Sequence, residues 1–449
     1  MNRLNYFFRY WIRAGCRWHS PYHKIAFELA TRANKDTIHR ILDCGLITRA
    51  AALYQENPKL FTEAARGKLE YLRGNHDTAE KLLESALRSS ISTERQRAVK
   101  LLTRLSPSRV IASAKNSGQT RLEQCLRMAT QTKSCAHPDL QSPTGDEHLL
   151  IANNAASYPE KLQYLNAYWK EMGLSAVSGA DTESNFDILA LSPESATNSE
   201  LSADKAAVSV VMTVYNGGKY LRSSMLSILR QMSVRSEIVI VDDASTDGTW
   251  DIILNLSRDY PGRVISRRLA RNVGTYAAKN IALRLCTREY IAFQDADDWS
   301  HPARLISAIT WLSLSKQHVA ATSRYVRMDQ EGRFFSPNIW PLRQWSPNTL
   351  VFRRAPTLEM IGQFDQIRFG ADTDFFERIR AYFGDNRVLF QKQVMLIAMG
   401  LPSSLMHDPA TGLDGNGHSM KRVTYRDVSA ERILGMARDG SHPHLPEAN

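Results

Sequence analysis

Two clusters of carboxylates stand directly after segments that have the character of buried strands. The first segment runs from Glu237 to Gly248 and the second from Tyr290 to Trp299. Runs of β-branched and aromatic residues fit strands that helices cover on both faces, and the carboxyl ends of such strands form the ligand crevice of an open α/β sheet. The acids between Asp295 and Asp298 would repel one another there unless a cation shared the space. A divalent metal that holds a diphosphate fits this need, because hard oxygen ligands suit Mg²⁺ and Mn²⁺. The clusters therefore indicate a nucleotide-sugar enzyme.

The surrounding sequence predicts the elements that would position these acids. Strands and helices alternate from Val208 to Leu314, which is typical of βαβ units and a parallel sheet. The segment Val319–Phe335 alternates like a hairpin with its turn near Glu331 and Gly332, and it precedes a helix at Asp372–Phe383 and a strand at Val388–Met399. We expect an α/β domain built on a mixed sheet.

The 449 residues exceed one ordinary domain, and their composition predicts four parts. Residues 1–174 are expected to form a helical domain. One segment of it, Gly67–Leu83, resembles a tetratricopeptide hairpin, although an ordinary helical bundle explains it equally well. Residues 175–206 form a linker, residues 207–400 the α/β domain, and residues 401–449 a loop, a helix and a disordered tail.

The net charge and the cysteines limit the classes of protein to which this chain can belong. The net charge is +11, but no nucleic-acid-binding signature accompanies it, and no apolar run is long enough for a membrane span. The five scattered cysteines favour reduced thiols in a cytoplasmic protein. The basic, aromatic stretch before Glu28 fits either a helix at an anionic membrane surface or a helix that packs on the neighbouring domain.

Four motifs, taken in order, carry a resemblance to a known family. Residues 207 to about 400 resemble the inverting glycosyltransferases of family 2, which have the GT-A fold, a Rossmann-like mixed sheet. The matching segments are Ser209–Asn216, Val241–Thr249, Asn272–Asn280 and Gln294–Trp299. Each motif alone is modestly specific, whereas four in this order are strongly specific.

The resemblance implies a donor site for a UDP- or dTDP-sugar. The residues that it assigns to the nucleotide sugar are Thr213, Tyr215, Asp243, Asn272, Lys279 and Asp295. Tyr215 would stack on the base and Asp243 would accept a base N–H, whereas a turn and core packing explain the first motif without a ligand. Lys279 stands where the family often has Arg, and a solvated helix face is the alternative for it.

The metal and the base follow from the same resemblance. Asp295 and Asp297 form the DXD element, with Asp297 as the direct ligand of Mn²⁺ or Mg²⁺, and a late His407 is a further candidate ligand. Asp372 aligns as the base that deprotonates the acceptor, with Asp374 as the alternative, because Ala371 replaces the usual Glu and leaves the register open.

The resulting hypothesis is a metal-dependent inverting glycosyltransferase that adds one sugar to a hydroxyl of a glycan or glycolipid, in cell-surface polysaccharide or lipopolysaccharide synthesis. The alternatives are a nucleotidyltransferase-like enzyme and a non-catalytic scaffold. The helical part is expected to bind the acceptor or a protein partner, or to self-associate, and the location is expected to be cytoplasmic or peripheral on the inner face of the membrane.

Overall fold

The N-terminal part of the chain is helical. The computed structural model describes residues 20–31, 33–130, 142–179, 192–193, 207–402, 404, 408, 410–414, 417–439 and 445. Its first ten helices are α1 (Pro21–Thr31), α2 (Lys35–Cys44), α3 (Ile47–Glu56), α4 (Glu63–Leu72), α5 (His76–Ala86), α6 (Ser92–Leu105), α7 (Pro107–Asn116), α8 (Thr120–Thr130), α9 (Asp146–Ala152) and α10 (Tyr158–Glu171).

The predicted helical hairpin is present as α4 and α5, which turn at Gly74 and Asn75. Gly74 adopts φ 83°, a left-handed conformation that glycine reaches without strain. Gly67 brings the two helices close, since a Cβ atom there would lie 2.7 Å from Leu83 Cγ. The pair therefore packs through a small residue, as the sequence indicates, and the wider repeat array stays a prediction.

The second part is built on a ten-stranded mixed sheet, as predicted. Two short strands, β1 (Val177–Ser178) and β2 (Ser192–Pro193), precede it and pair with each other. The strands of the large sheet are β3 (Ala207–Val214), β4 (Arg235–Asp242), β5 (Val264–Arg268), β6 (Tyr290–Phe293), β7 (Trp299–Ser300), β8 (Ala320–Met328), β9 (Phe334–Phe335), β10 (Gln344–Trp345), β11 (Val351–Arg353) and β12 (Val388–Met399). The main path runs β5-β4-β3-β6-β11-β8-β12-β7, with β9 and β10 paired to β8. Strands β3 to β6 are parallel, β11 is antiparallel to both its neighbours, and the predicted hairpin is the antiparallel pair of β8 and β9.

Helices cover both faces of the parallel half, which explains the continuous apolar runs of its strands. The helices of this part are α11 (Gly218–Leu229), α12 (Thr249–Asp259), α13 (Thr275–Leu285), α14 (Arg304–Ser313), α15 (Arg354–Ile361), α16 (Ala371–Phe383) and α17 (Met420–Asp439). Ile238 and Ile240 point into a core with α11, α12 and α14. Val239 and Val241 point into the opposite core with α13, α15 and α16. Both side-chain directions of β4 are therefore buried.

The helical part packs against the sheet rather than standing apart from it. Trp169 of α10 is buried, and its Nε1 donates to the carbonyl of Val394 in β12 at 3.1 Å. Lys161 Nζ donates to the carbonyl of Gly332 at 3.1 Å. At the other end, Asp427 of α17 accepts from the backbone N–H of Ile47 at 2.6 Å, at the start of α3. The proposed division into domains stays a prediction.

His301 joins the segment after α10 to the sheet. The imidazole is fully buried, and its Nδ1 accepts from the N–H of Ala303 at 3.1 Å. Its Nε2 therefore carries the proton and donates to the carbonyl of Ser175 at 3.0 Å. The ring also lies 4.9 Å from Trp169, centroid to centroid. Burial lowers the pKa of His301 to about 4, so the neutral form is the one that fits.

Three further observations bear on the sequence predictions. Within the described ranges no helix has the length and apolarity that crossing a bilayer requires. Cys44, Cys125 and Cys286 are buried free thiols. The basic, aromatic stretch lies mostly outside the described residues, as do most of the 175–206 linker and nearly all of the tail after residue 439.

Candidate active site

A cavity of about 590 Å³ lies at the carboxyl ends of β3 and β6. It is lined from both halves of the sheet, because the loops that follow the parallel strands meet the segment that leads into α16. The predicted residues that it brings together are Thr213, Tyr215, Lys279, Asp295, Asp297 and Asp372. Asp243, Asn272 and Asp374 are not among the residues that line it, and His407 lies outside the described residues.

Asp295 is held by two partners. Lys279 Nζ lies 3.1 Å from Asp295 Oδ1, and the side-chain amide of Asn348 donates to Oδ2. Lys279 is 3% exposed, so it does not stand on a solvated helix face. The Lys279 ammonium has further N–H donors beyond the one directed at Asp295, and these can bind an anionic ligand, as a diphosphate site requires.

Asp297 and Asp298 are the acids without an equivalent cation. Burial, and then the charge of Asp295, raises the pKa of Asp297 to about 6. Burial, and then the charge of Asp297, raises the pKa of Asp298 well above its ordinary value. This crowding of carboxylates is the condition in which a bound divalent cation would be stabilised. The oxygen donors of Asp295 and Asp297 therefore fit Mg²⁺ or Mn²⁺.

The protein supplies only part of such a coordination sphere. Over the part of the chain that the structure describes, no group of three or more His, Cys, Asp or Glu side chains is arranged to hold a metal. Mg²⁺ commonly takes one or two carboxylates and completes its shell with water and substrate phosphates. The donor set at this loop matches that mode of binding.

Arg304, which is buried in the protein interior, fixes the residues on either side of the acidic loop Asp295–Asp298 by hydrogen bonds. Its guanidinium is 1% exposed and donates to the side chains of Gln294 and Ser300, at 2.8 Å each. It also donates to the carbonyl of Phe293 at 2.6 Å. Burial lowers the pKa of Arg304 to about 10, so it stays charged at neutral pH. Sequence reasoning missed this residue, because nothing in the primary structure distinguishes an arginine in the first turn of a helix from a solvated one.

The loops after β3 and β4 are joined by hydrogen bonds at the side of the cavity that Tyr215 lines. The hydroxyls of Thr213 and Thr275 lie 2.9 Å apart. Asn216 N–H donates to Ser245 Oγ at 2.9 Å, while Asn216 Oδ1 accepts from the N–H of Thr246 at 2.8 Å. Tyr215 is 53% exposed at the rim. An exposed ring on a fixed loop is a surface on which a planar base can stack.

Asp243 organises the entry to α13. Its two carboxylate oxygens accept from the N–H groups of Val273 and Gly274, at 2.7 and 2.8 Å. Asn272 donates to the carbonyl of Asp243 at 3.3 Å and accepts from Arg368 at 3.2 Å. Asp243 is thus buried behind the cavity wall, although each of its oxygens keeps a lone pair for a second donor.

Asp372 enters the cavity from the first turn of α16. Gly370 precedes this turn with φ 76°, and a Cβ atom there would lie 3.2 Å from the Tyr425 ring. Ala371 is fully buried in the apolar core, whereas the next residue, Asp372, lines the cavity. Burial, and then the charge of Asp372, raises the pKa of Tyr276 well above its ordinary value. The phenol beside Asp372 therefore stays protonated and can donate a hydrogen bond.

Asp374 lies in a different environment. It is 3% exposed and pairs with Arg378 at 2.8 Å and with Arg432 of α17 at 2.7 Å. Ser429 also donates to it. Burial alone would raise the pKa of Asp374, but the charges of Arg378 and Arg432 outweigh burial and hold it below its ordinary value. These contacts leave Asp374 little freedom to take a proton from a substrate.

Three arginines that sequence reasoning missed line the cavity near the two acidic sites. They are Arg327, Arg368 and Arg422. Arg327 extends from β8, and its charge lowers the pKa of both Asp297 and Asp298 against the larger effect of burial. Arg422 comes from α17, beyond the four motifs, and lies 5.8 Å from the centre of the Phe369 ring. No local signal separates these arginines from the many surface arginines of a basic chain.

The same region is similar in sequence to known proteins. Residues 209–376 match the sequence model described as "Glycosyl transferase family 2". A putative glycosyltransferase EpsE of Bacillus subtilis is 34% identical over 28% of this chain and 45% of its own length. An Escherichia coli protein, UDP-Glc:alpha-D-GlcNAc-diphosphoundecaprenol beta-1,3-glucosyltransferase WfaP, is 33% identical over 29% of this chain and 51% of its own length. This chain thus spans about half the length of these curated relatives.

One solved structure illustrates the extent of the structural similarity. The crystal structure of S. aureus TarS 1-349 in complex with UDP is 21% identical, covers 51% of this chain and 69% of its own, and superposes with a TM-score of 0.36.

Proposed function

We propose, from the premise that residues 209–376 form a family 2 glycosyltransferase domain of the GT-A fold, that this protein is an inverting glycosyltransferase. Its donor would be a UDP- or dTDP-sugar and its acceptor a hydroxyl of a cell-surface glycan or glycolipid. The observation that carries the proposal is the single cavity that holds Tyr215, the Asp295–Asp297 pair and Asp372. A base platform, a diphosphate site and a proton acceptor are the three parts that such a transfer requires.

The reaction divides these residues between donor and acceptor. Tyr215 and Thr213 would hold the nucleoside, with Asp243 accepting a base N–H through its free lone pairs. Lys279 would face the diphosphate from the α13 side, while Asn272, predicted for the same role, would support the turn behind it through its hydrogen bond to the carbonyl of Asp243. Asp372 would accept the proton of the acceptor hydroxyl, whose oxygen then forms the new bond to the anomeric carbon.

The bond that breaks joins the anomeric carbon to the diphosphate oxygen. Its electron pair leaves with the nucleoside diphosphate, and attack from the opposite face inverts the configuration. Buried Lys279 neutralises part of the charge that develops on the departing oxygen. A divalent cation held by Asp297 and Asp295 would supply Lewis-acid stabilisation of the same charge.

The experiment that tests the proposal is a donor panel of UDP- and dTDP-sugars with Mn²⁺. We expect one of these donors to yield free nucleoside diphosphate, by slow hydrolysis without an acceptor and faster with one. Asp297→Ala and Asp372→Asn should each abolish the transfer. Pyrophosphate release in place of nucleoside diphosphate would instead identify a nucleotidyltransferase. Transfer that survives both substitutions would refute the mechanism.

We also propose a cellular setting, a cytoplasmic location that is peripheral at the inner face of the membrane. The diphosphoundecaprenol acceptor named for the relative from E. coli and the basic segment before Glu28 support this location. Deletion of residues 1–25 should reduce recovery in the membrane fraction, while unchanged fractionation would eliminate that segment as an anchor. Partner binding or self-association through the helical part stays a prediction.

A further inference from the structure

A second cleft lies between the helical part and the sheet. Its volume is about 810 Å³, and helices α6, α7 and α8 form one wall. The other wall is formed by β8, β10 and the loop that precedes β10. None of the residues that line this cleft has a role in the donor chemistry proposed above.

The cleft is strongly cationic. Among the described residues that line it, the basic ones are Arg95, Lys100, Arg324 and Arg343, and none is acidic. The carboxylates of Asp146 and Asp43, whose charges act on Arg324 and Lys100, are each engaged by another group. Asp146 accepts from the backbone N–H of Arg343 at 3.0 Å and lies 3.3 Å from its Nε, while Asp43 pairs with Lys68.

Two of these cations form no direct contact through their side chains. Within the described ranges, the side chains of Arg324 and Lys100 form no hydrogen bond or ion pair, although Asp146 attracts Arg324 and Asp43 attracts Lys100 at longer range. Arg324 is half-buried, and burial together with repulsion by Arg343 lowers its pKa. Neighbouring guanidinium groups that face a cavity are stabilised when a carboxylate or a phosphate enters between them.

The uncharged side chains that line the cleft suit a sugar chain. The amides of Gln96, Gln119, Asn338 and Gln344 offer both donors and acceptors, as paired hydroxyls require. Trp340 contributes part of an aromatic face, against which the C–H face of a sugar ring can pack. A groove built for single-stranded nucleic acid would instead carry a succession of aromatic platforms.

The cleft and the catalytic cavity share a wall. Arg324 lines the cleft and its neighbour Tyr325 lines the cavity, since successive residues of a strand face opposite sides. Gln344 lines the cleft and Ser346, two residues on, lines the cavity. A saccharide seated in the cleft therefore lies across β8 from the cavity that Asp372 lines.

We propose that this cleft binds an anionic saccharide, the extended part of the acceptor, through Arg324, Lys100 and the surrounding amides. The proposal rests on the glycosyl transfer proposed above and adds to it a class of acceptor, one that bears carboxylate or phosphate groups. The helical part thereby acquires a role in acceptor binding.

The test is calorimetric titration of the full-length chain without donor. The probes are a uronic acid tetrasaccharide, its neutral methyl ester, a phosphodiester-linked oligosaccharide and a short oligonucleotide. We expect at least one acidic saccharide to bind, and the acidic probe that binds identifies carboxylate or phosphate as the recognised group. The neutral ester should bind roughly tenfold more weakly, which is the effect of losing one charge-assisted contact.

Matched variants assign the binding to the cleft. Lys100→Gln and Arg324→Gln should each weaken the acidic saccharide by roughly tenfold. Lys81→Gln, an exposed lysine on α5 outside the cleft, should change nothing. Lys100 is exposed, so its variant should fold normally even if Arg324→Gln is less stable.

Three outcomes would overturn the proposal: no acidic saccharide binds, the ester binds as well as the acid, or the cleft variants bind like the wild type. Equal binding of the oligonucleotide would show an unspecific polyanion site and would also overturn it. Titration with UDP separates this failure from failure of the proposed function. A chain that binds UDP but no acidic saccharide would keep the glycosyltransferase proposal and lose this one.

Discussion

The prediction that Asp372 is the catalytic base can be tested directly against Asp374. The two residues are only two positions apart, but they differ in exposure and in ion pairing. Asp372 lines the cavity and is partly exposed, whereas Asp374 is buried between Arg378 and Arg432. Asparagine keeps the shape of each side chain and removes the charge. The two substitutions should therefore separate a loss of catalysis from a loss of stability.

For Asp372→Asn we expect a fall in kcat of about 10²- to 10⁴-fold, the usual contribution of a general base. Stability should change by less than about 0.5 kcal/mol. The carbonyl oxygen of the new amide can still accept from the N–H of Thr373, as Asp372 Oδ1 does at 2.8 Å. The first turn of α16 therefore keeps its hydrogen bond.

For Asp374→Asn we expect a loss of about 3–5 kcal/mol in the free energy of unfolding, because Arg378 is fully buried and would lose its counter-charge. If about 200 residues unfold together, this loss of stability lowers Tm by roughly 10 °C. The kcat of the folded fraction should fall far less than in Asp372→Asn, since Asp374 does not line the cavity.

The assay combines nucleoside diphosphate release with thermal and urea unfolding of each variant. Asp259→Asn, an exposed site at the end of α12, is the matched control and should be neutral in both measurements. The opposite pattern, with catalysis lost in a stable Asp374→Asn and retained in Asp372→Asn, would refute the assignment of the base and the structural role of Asp374.

Three further predictions test other parts of the structure. The pKa of His301 is about 4 in the folded protein and about 6.5 in an unfolded chain, so the unfolded state binds more protons below pH 6.5. Stability should fall by about 2 kcal/mol from pH 7 to pH 5 through this group, and His301→Gln should remove that part of the slope in urea titrations. Gly370→Ala should cost about 1–2 kcal/mol, because φ is 76° and Tyr425 is close, whereas Gly435→Ala in α17, with open space around it, should be neutral or slightly stabilising; equal thermal shifts would contradict this. Chelation with EDTA should abolish transfer and added Mn²⁺ should restore it, while Asp297→Asn should raise the Mn²⁺ concentration needed for half-maximal rate; full activity in EDTA would eliminate the metal.

Much of the sheet region follows from local sequence. Runs such as Ile238–Val241 are apolar at every position, so only strands covered on both faces can bury them. The strand predicted at Val388–Met399 is β12, and the helix predicted at Asp372–Phe383 is α16, which begins one residue earlier. Short-range periodicity and turn residues carry this information, although the strands are completed by pairing with segments that lie far away in the chain.

Local sequence predicted only some of the residues of the candidate active site. Motif positions identified the acids at 295 and 297 and the carboxylate at 372, and the structure brings all three to one cavity. The sequence left Lys279 undecided between a ligand and a solvated face, and only its burial beside Asp295 distinguishes the two. Asp243 has a structural task that sequence did not suggest, since its carboxylate organises the turn into α13.

The sequence by itself therefore determined the fold class, the order of the motifs and the types of residue at the carboxyl ends of the strands. Tertiary structure alone decided which charges meet: Arg304 beneath the acidic loop, Arg432 on Asp374, and Arg324 in a cleft with Lys100. The physical reason is one of range. Backbone preference and apolar periodicity act over a few neighbouring residues, whereas the environment of a charge is set by groups from different elements that become neighbours only when the chain has folded.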